Sequence, residues 1–191
     1  MYIKAVAVFC GASHHVDNLY QLEAKETGRL LAVNSFDVVY GGASQGLMGI
    51  VADSALEHKG NVYGYIPTFL TVFETPHPHA TEMHFVDSMQ SRKLLMYDRA
   101  DAFLILPGGL GTFEEAVEIL SWRKIDLHKK PIIFVDTDHY WQPFFDMLNQ
   151  MVVAGFAPAT ALTYCHRVAT SQEAVDYLRS LSQAEPITSA L

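Results

Sequence analysis

The chain alternates short apolar runs with longer stretches of helical periodicity, and this alternation restricts its possible folds more than any other feature. The runs are rich in Val, Ile and Phe and are nearly continuous, which is typical of strands covered on both faces. Seven runs are predicted as strands, the last of them weaker than the others: 3–9, 36–40, 61–66, 83–86, 102–106, 131–136 and 164–168.

The stretches between the runs place apolar residues at helical spacing. Predicted helices cover 19–33, 47–55, 89–100, 112–124, 141–153 and 171–181. Repeated strand, helix and strand require crossover connections, which predict an α/β fold with a doubly wound, largely parallel, Rossmann-like sheet and helices on both faces. At 191 residues, the chain is expected to form a single domain over 1–182, followed by a flexible tail at 183–191.

The charge balance narrows the class of ligand. Lys and Arg number 13 and Asp and Glu 21, for a net charge of −8, which argues against a nucleic-acid polymer but not against a small anion in a local pocket. Cys10 and Cys165 stand far apart, without the spacing of a metal site or a disulfide framework. The apolar run at 5–9 is far shorter than the roughly 18 residues of a membrane helix, so a cytoplasmic protein is expected, with no membrane partner.

Ligands of open α/β sheets bind beyond the carboxyl ends of the strands. Three turns there are rich in glycine, at 10–13, 41–49 and 107–115. Glycines let the backbone approach a phosphate closely, and the N–H groups that open the next helix point at the anion. For 41–49 alone, a structural and a functional role are equally weighted, whereas 107–115 holds more glycines and carboxylates than a connection requires.

Neither of the two common nucleotide fingerprints is present. The third turn has Glu114 where the third small residue of a dinucleotide fingerprint belongs, and Leu47 follows Gly46 where a P-loop requires Lys. A mononucleotide or a sugar phosphate is therefore the expected ligand. We expect Thr112 to cap the following helix. For one of Glu114 and Glu115 the alternative is a purely structural role, as a carboxylate that interacts with the helix dipole.

Arg92 and Lys93 lie near the start of the predicted helix 89–100, just after the candidate N-cap at 87–88. Cations at this end oppose the helix dipole, so the pair is interpreted as an anion-binding element. The alternative is a solvated helix face, with the pair bound to Asp98 or Glu82.

The sequence resembles the LOG (lonely guy) family of cytokinin-activating phosphoribohydrolases, long labelled lysine decarboxylases. The resemblance is carried by 107–115, which fits the pattern P-G-G-x-G-T-x-x-E, and by Arg92 and Lys93 upstream of it. Shorter matches lie at 6–11, 40–42, 46–49, 66–67, 86–89 and 155–156.

The resemblance implies a homodimer that hydrolyses nucleoside 5′-monophosphates, preferably N6-modified AMP such as isopentenyl-AMP and in some relatives AMP, to free base and ribose 5-phosphate. It implies no metal or organic cofactor, and it places the catalytic pair on Arg92 and Glu115. The helix dipole is expected to keep Glu115 ionised near neutral pH. A glutamate that plant members use for ligand binding aligns with Phe69. The candidate substrate-binding residues lie in the strand-end turns or at the starts of the helices: Ser13, Gly41, Gly42, Met89, Arg92, Lys93, Gly108, Gly109, Gly111, Thr112 and Glu114.

Two other functions are weighed against this one. A pyridoxal-phosphate decarboxylase needs a lysine that forms a Schiff base, and Lys93 is the candidate. A non-catalytic nucleotide or cofactor carrier of the same fold would not need both Arg92 and Glu115. The irregular stretch 67–81 is expected to be either a functional loop or a surface excursion.

Overall fold

One sheet of seven parallel strands forms the centre of the molecule in the computed structural model, which describes residues 2–183. The order across the sheet is β4-β3-β2-β1-β5-β6-β7, and every neighbouring pair is parallel. The strands are β1 (Ala5–Phe9), β2 (Asp37–Tyr40), β3 (Val62–Pro67), β4 (Glu82–Val86), β5 (Ala102–Ile105), β6 (Ile132–Val135) and β7 (His166–Val168).

Within residues 2–183, six α-helices connect or follow the strands. They are α1 (Asn18–Val33), α2 (Gly46–Glu57), α3 (Met89–Arg99), α4 (Leu110–Lys124), α5 (Gln142–Val153) and α6 (Ser171–Gln183). The predicted fold class and all predicted strands and helices are confirmed, with boundaries that differ by a few residues. Of the predicted tail, Gln183 is the last residue of α6, and 184–191 lie outside the described residues.

Two apolar cores cover the sheet, one on each face. Leu31 of α1, Leu47 of α2 and Leu178 of α6 pack on one face. Met96 of α3 and Ile119 of α4 pack on the other, with Trp141 immediately before α5. Because both faces are covered, the strands are apolar almost throughout, as the sequence pattern indicated. No helix within the described part of the chain is long and apolar enough to cross a membrane.

Two helix starts show how the sequence sets the boundaries. Ser88 caps α3, as predicted: its hydroxyl accepts a hydrogen bond from the Ser91 N–H at 3.1 Å. The expectation that Thr112 caps α4 is wrong. That helix begins at Leu110 with Gly109 as the N-cap residue, which places Thr112 in the first turn.

The irregular stretch 67–81 forms part of the site region. After a short 3-10 turn at Thr68–Val72, the chain runs beside the turn that follows β2. The Ser44 N–H donates to the Thr75 carbonyl and the His77 N–H to the Gly42 carbonyl, both at 2.9 Å. The buried His77 ring lies 3.1 Å, Nε2 to Oδ1, from Asp53 of α2. These contacts fix the stretch to the β2 turn, so it is not a loose excursion.

Candidate active site

A cavity of about 600 Å³ opens at the carboxyl ends of β1 and β5. The connections after these two strands run in opposite directions across the sheet, which makes this the switch point at which α/β sheets bind ligands. The turns there are packed against one another: the Gly11 N–H donates to the Pro107 carbonyl at 3.1 Å, and the Leu47 N–H to the Gly11 carbonyl at 2.9 Å. A Cβ on Gly108 would lie 2.8 Å from the Gly11 nitrogen, so this approach requires glycine.

Glu115 projects from α4 into the cavity wall and is only 8% exposed. Burial raises the pKa of Glu115 to about 7, and the charge of Arg92 counteracts part of that rise. The helix dipole therefore does not keep the pKa of Glu115 low as expected, and the group is partly protonated near neutral pH. Glu115 is the sixth residue of α4, beyond the first turn where the dipole acts, so loss of hydration decides its charge.

Arg92 projects from α3 and is 6% exposed. Its Nε is buried without a hydrogen-bond partner, and no ion pair within residues 2–183 includes it. Its Nη1 lies 3.9 Å from the Met89 sulfur. A buried guanidinium without a paired carboxylate is costly unless an anion binds there. Arg92 and Glu115 thus bring a cation and a titratable carboxyl to one cavity.

Lys93 is not part of the cavity wall, although the sequence analysis grouped it with Arg92. Its Nζ lies 2.5 Å from Glu114 Oε1 and 3.0 Å from Glu118 Oε1. Burial alone would lower the pKa of Lys93, but the hydrogen bonds to these two carboxylates raise it. Successive helix residues point about 100° apart, so the two basic side chains cannot face the same way. A lysine held as a cation is also a poor Schiff-base nucleophile.

The start of α4 forms an open cradle. Gly108, Gly109, Gly111 and Thr112 all line the cavity. A Cβ added to Gly109 or Gly111 would meet nothing within 4 Å, so the absent side chains leave room for a ligand at the helix start. The first N–H groups of a helix have no partner within the helix and suit an anion. This arrangement supports the predicted phosphate site.

The glycines after β2 serve two different purposes. Gly41 lines the cavity next to Arg92. Gly42 has a φ of +84° and lies away from the cavity wall, against Ile66 and Met83. Gly42 therefore shapes the turn, while Gly41 faces the ligand space. Ser13, Met89 and Glu114 line the cavity as predicted candidates.

Glu74 lines the cavity and is absent from the sequence-based candidates. Its Oε2 is buried and has no hydrogen-bond partner. Phe69, to which the sequence alignment assigned the glutamate position of plant members, is 53% exposed and lies outside the cavity wall. The carboxylate that this loop contributes is therefore Glu74. The sequence offers one indication of this role: Glu74 is a carboxylate in an irregular stretch that follows the end of a strand, where functional residues are often found.

Two tyrosines and a buried thiol complete the walls. Tyr20 and Tyr140 meet edge to face with ring centroids 5.7 Å apart. Tyr140 donates a hydrogen bond of 2.6 Å from its hydroxyl to the Gly108 carbonyl. Burial raises the pKa of the Cys10 thiol, so this group is neutral and not a nucleophile. The described part of the chain contains no group of three or more His, Cys, Asp or Glu residues that could hold a metal ion.

Comparisons with known proteins find relatives over most of the chain. A family model described as "possible lysine decarboxylase" matches residues 48–178. A cytokinin riboside 5′-monophosphate phosphoribohydrolase of Rhodococcoides fascians is 42% identical over 159 residues, covering 82% of this chain and 80% of the relative. A probable enzyme of the same name from Oryza sativa subsp. japonica is 35% identical over 189 residues, covering 98% and 78%.

A solved structure of similar fold is the molybdenum cofactor binding protein from Rippkaea orientalis. It superimposes with a TM-score of 0.71 and 18% identity, covering 95% of this chain and 98% of that one. At this level of identity the likeness shows the fold alone.

Proposed function

Because the chain belongs to the LOG family, whose model is described as "possible lysine decarboxylase" and whose curated members are cytokinin riboside 5′-monophosphate phosphoribohydrolases, we propose that it hydrolyses the N-glycosidic bond of adenosine-type nucleoside 5′-monophosphates. The products are the free base and ribose 5-phosphate. The observation that carries the proposal is the meeting of buried Arg92 and Glu115 in one cavity with a glycine cradle. A non-catalytic carrier would not need both a buried guanidinium and a buried carboxyl in the same cavity.

The cradle at the start of α4 holds the 5′-phosphate. Gly109 and Gly111 leave open space there, and the helix start supplies N–H donors. Arg92 binds and orients the nucleotide with its guanidinium, a buried cation that has no ion pair among residues 2–183. Held at both ends, the nucleotide presents its glycosidic bond to Glu115.

Glu115 carries the chemical step. Breaking the bond between C1′ and the base nitrogen leaves its electron pair on the base and positive charge on the ribose ring, as in glycosidases. In its carboxylate form, Glu115 stabilises that charge and takes a proton from the water that attacks C1′. The departing base needs one proton, which Glu115 can return, so one water is consumed overall. A pKa of about 7 suits both transfers.

Glu74 is placed to bind the ribose. A buried carboxylate oxygen without a protein partner is a ready acceptor for sugar hydroxyls. Of these, the 2′-hydroxyl distinguishes a ribonucleotide from its 2′-deoxy counterpart. We therefore assign Glu74 a substrate-binding role beside the candidates predicted from the sequence.

The test is product analysis. The purified protein is incubated with AMP, N6-isopentenyl-AMP and other nucleoside monophosphates, and free base and ribose 5-phosphate are measured together. We expect equal amounts of both from the adenosine-type nucleotides. Nucleotide binding without release of either product would overturn the proposal in favour of a carrier. Release of a diamine and CO2 from lysine would support a decarboxylase, which the double ion pair of Lys93 disfavours.

We further propose that the protein works as a cytoplasmic homodimer. Large apolar side chains are exposed on α3 and α4, the helices that carry Arg92 and Glu115. They are Leu94 and Leu95 on α3 and Leu110, Phe113 and Val117 on α4. Such a surface favours a second copy of the chain over solvent. The expected solution mass is twice that of one chain by light scattering, and a monomer at micromolar concentration would contradict it. Both cysteines are free thiols, which suits a reducing compartment.

A further inference from the structure

A strained turn lies between β6 and α5, at the edge of the cavity. Asp138 and His139 have φ values of 52° and 58°, in the left-handed region that residues other than glycine rarely adopt. Two such residues in succession persist only where the surroundings hold them, and strain of this kind concentrates at functional sites. Contacts with the rest of the protein must therefore hold this turn, and Tyr140, which follows it directly, lies in the cavity wall.

The side chain of Asp136 holds the turn through hydrogen bonds. Its side chain is buried, and Oδ1 accepts a hydrogen bond from the Trp141 N–H at 2.5 Å. Oδ2 accepts hydrogen bonds from the Arg167 side chain, with Nε at 2.6 Å and Nη2 as a second donor. One carboxylate thus fixes both ends of the turn and ties it to β7.

The turn delivers Tyr140 to the phosphate cradle. The Tyr140 hydroxyl donates to the Gly108 carbonyl at 2.6 Å, across 32 residues of chain. The ring is held edge to face against Tyr20 at 5.7 Å and against the buried Trp141 at 5.1 Å. Tyr140 itself is part of the cavity wall.

The Gly108 carbonyl that accepts this hydrogen bond belongs to a peptide group whose orientation matters for anion binding. It joins Gly108 to Gly109, and two glycines in succession impose little restriction on its orientation. In a trans peptide the C=O and the following N–H point in opposite directions. If the peptide turned over, a carbonyl oxygen would replace an N–H donor near the bound anion and would repel it.

We propose that Tyr140 is a positioning residue of the phosphate cradle, which holds the Gly108 carbonyl away from the ligand and so fixes the donor orientation of Gly109. The inference rests on the proposed function, because it assumes that the cradle binds the 5′-phosphate. Asp136 and Arg167 act through Tyr140 by enforcing the strained turn. None of the three is assigned to the chemical step.

The test compares ligands with and without a phosphate. Tyr140→Phe keeps the ring contacts and removes the donor. It should weaken the binding of ribose 5-phosphate and of inorganic phosphate by about 5- to 15-fold in calorimetry, the scale of one hydrogen bond to a site that binds an anion. KM for AMP should rise similarly, kcat should stay within about twofold, and adenosine binding should be unchanged, because adenosine has no phosphate.

Tyr177→Phe is the matched control, because it removes a tyrosine hydroxyl on α6, where the ring stacks on His166 away from the cavity. Asp136→Asn tests the turn. It should weaken phosphate binding, and combining it with Tyr140→Phe should add little, because both act through one hydrogen bond. An unchanged phosphate affinity in Tyr140→Phe, or an equal loss for adenosine, would overturn the inference. A wild-type protein that binds phosphate but does not hydrolyse AMP would overturn the proposed function alone, whereas one that binds no phosphate would overturn both.

Discussion

The guanidinium of Arg92 lies directly against the backbone of Gly41. A Cβ built on Gly41 would overlap Nη2 of Arg92, far inside the 3.0 Å that real Cβ atoms keep. The cation that we assign to substrate binding therefore occupies the place of the missing side chain in the β2 turn. The absence of a side chain at Gly41 is therefore a requirement of the site, whereas the positive φ of the turn falls on Gly42.

Gly41→Ala should displace Arg92 and lower kcat/KM for AMP by about 10²-fold, the usual effect of moving a positioned group by about 1 Å. Gly28→Ala is the control, because its Cβ would press on the Val51 carbonyl of α2, away from the cavity. That variant should lower the melting temperature and leave kcat unchanged in the folded fraction. Equal kinetic effects in the two variants would show that the Gly41 effect is only a loss of folding.

Glu115→Gln should keep the fold and lower kcat by about 10²- to 10⁴-fold, the range for a lost acid–base group. Glu114→Gln is the matched variant on the same helix, one residue away. Its side chain is paired with Lys93, so a change of less than about tenfold in kcat is expected. Steady-state release of free base measures both, and near-normal turnover in Glu115→Gln would refute the catalytic assignment.

The rate should depend on the ionisation of Glu115. Burial raises its pKa to about 7, and the mechanism uses the carboxylate, so kcat/KM should rise with pH and level off above about 8. The second ionisation of a phosphate monoester, near 6, contributes to the profiles of wild type and variants alike. The ionisation near 7 should be present in Glu114→Gln and missing from Glu115→Gln. A wild-type profile without it would contradict the assignment.

The free energy of unfolding should also depend on the ionisation of Glu115, and this dependence should lower stability as pH rises, whereas activity rises. The pKa of Glu115 is about 7 in the fold against an ordinary 4.5, so between these values the folded state binds the proton that the unfolded state has lost. The free energy of unfolding of wild type should therefore fall, relative to Glu115→Gln, as pH rises from about 4.5 to 7, by at most about 3 kcal/mol. Urea denaturation at pH 5 and pH 8 measures this. Parallel pH dependence of the two proteins would show that Glu115 is not desolvated.

Glu74→Gln should raise KM for AMP by about tenfold, because a neutral amide replaces the carboxylate acceptor proposed for the ribose hydroxyls. Glu82→Gln on β4 is the control, since Glu82 is exposed and lies outside the cavity wall. Kinetics with AMP and 2′-deoxy-AMP separate the causes. The effect of Glu74→Gln should shrink with the deoxy substrate, and an equal effect on both nucleotides would remove the ribose from the explanation.

The strands and helices were predictable because each is encoded locally. Near-continuous apolar runs gave β1 and β5 within a residue or two, and Ser88 capped α3 as its sequence position indicated. The glycine cradle was predictable for the same reason, since its chemistry lies within nine consecutive residues. Local patterns are enough where neighbours in sequence are also neighbours in the site.

The rest of the site depends on contacts between distant parts of the chain. Glu74 reaches the cavity because the loop around it pairs with the β2 turn, and Tyr140 because a strained turn aims it at Gly108. Lys93 turned away because its helical phase differs from that of Arg92 and because Glu114 was available on α4. The raised pKa of Glu115 could not be predicted either, because it depends on how deeply the folded chain buries the carboxyl, which the local sequence does not show.

The packing of α3 links catalysis to folding. Of its residues Met89–Arg99, those that are buried are Arg92 and Met96, so one of the two buried positions of the helix holds the cation that we propose to bind substrate. Active sites often retain residues that lower stability because activity needs them. Arg92 is such a position: an apolar side chain there would remove a buried charge that has no ion pair among residues 2–183, and it would strengthen the packing of α3 while removing the proposed contact with the substrate.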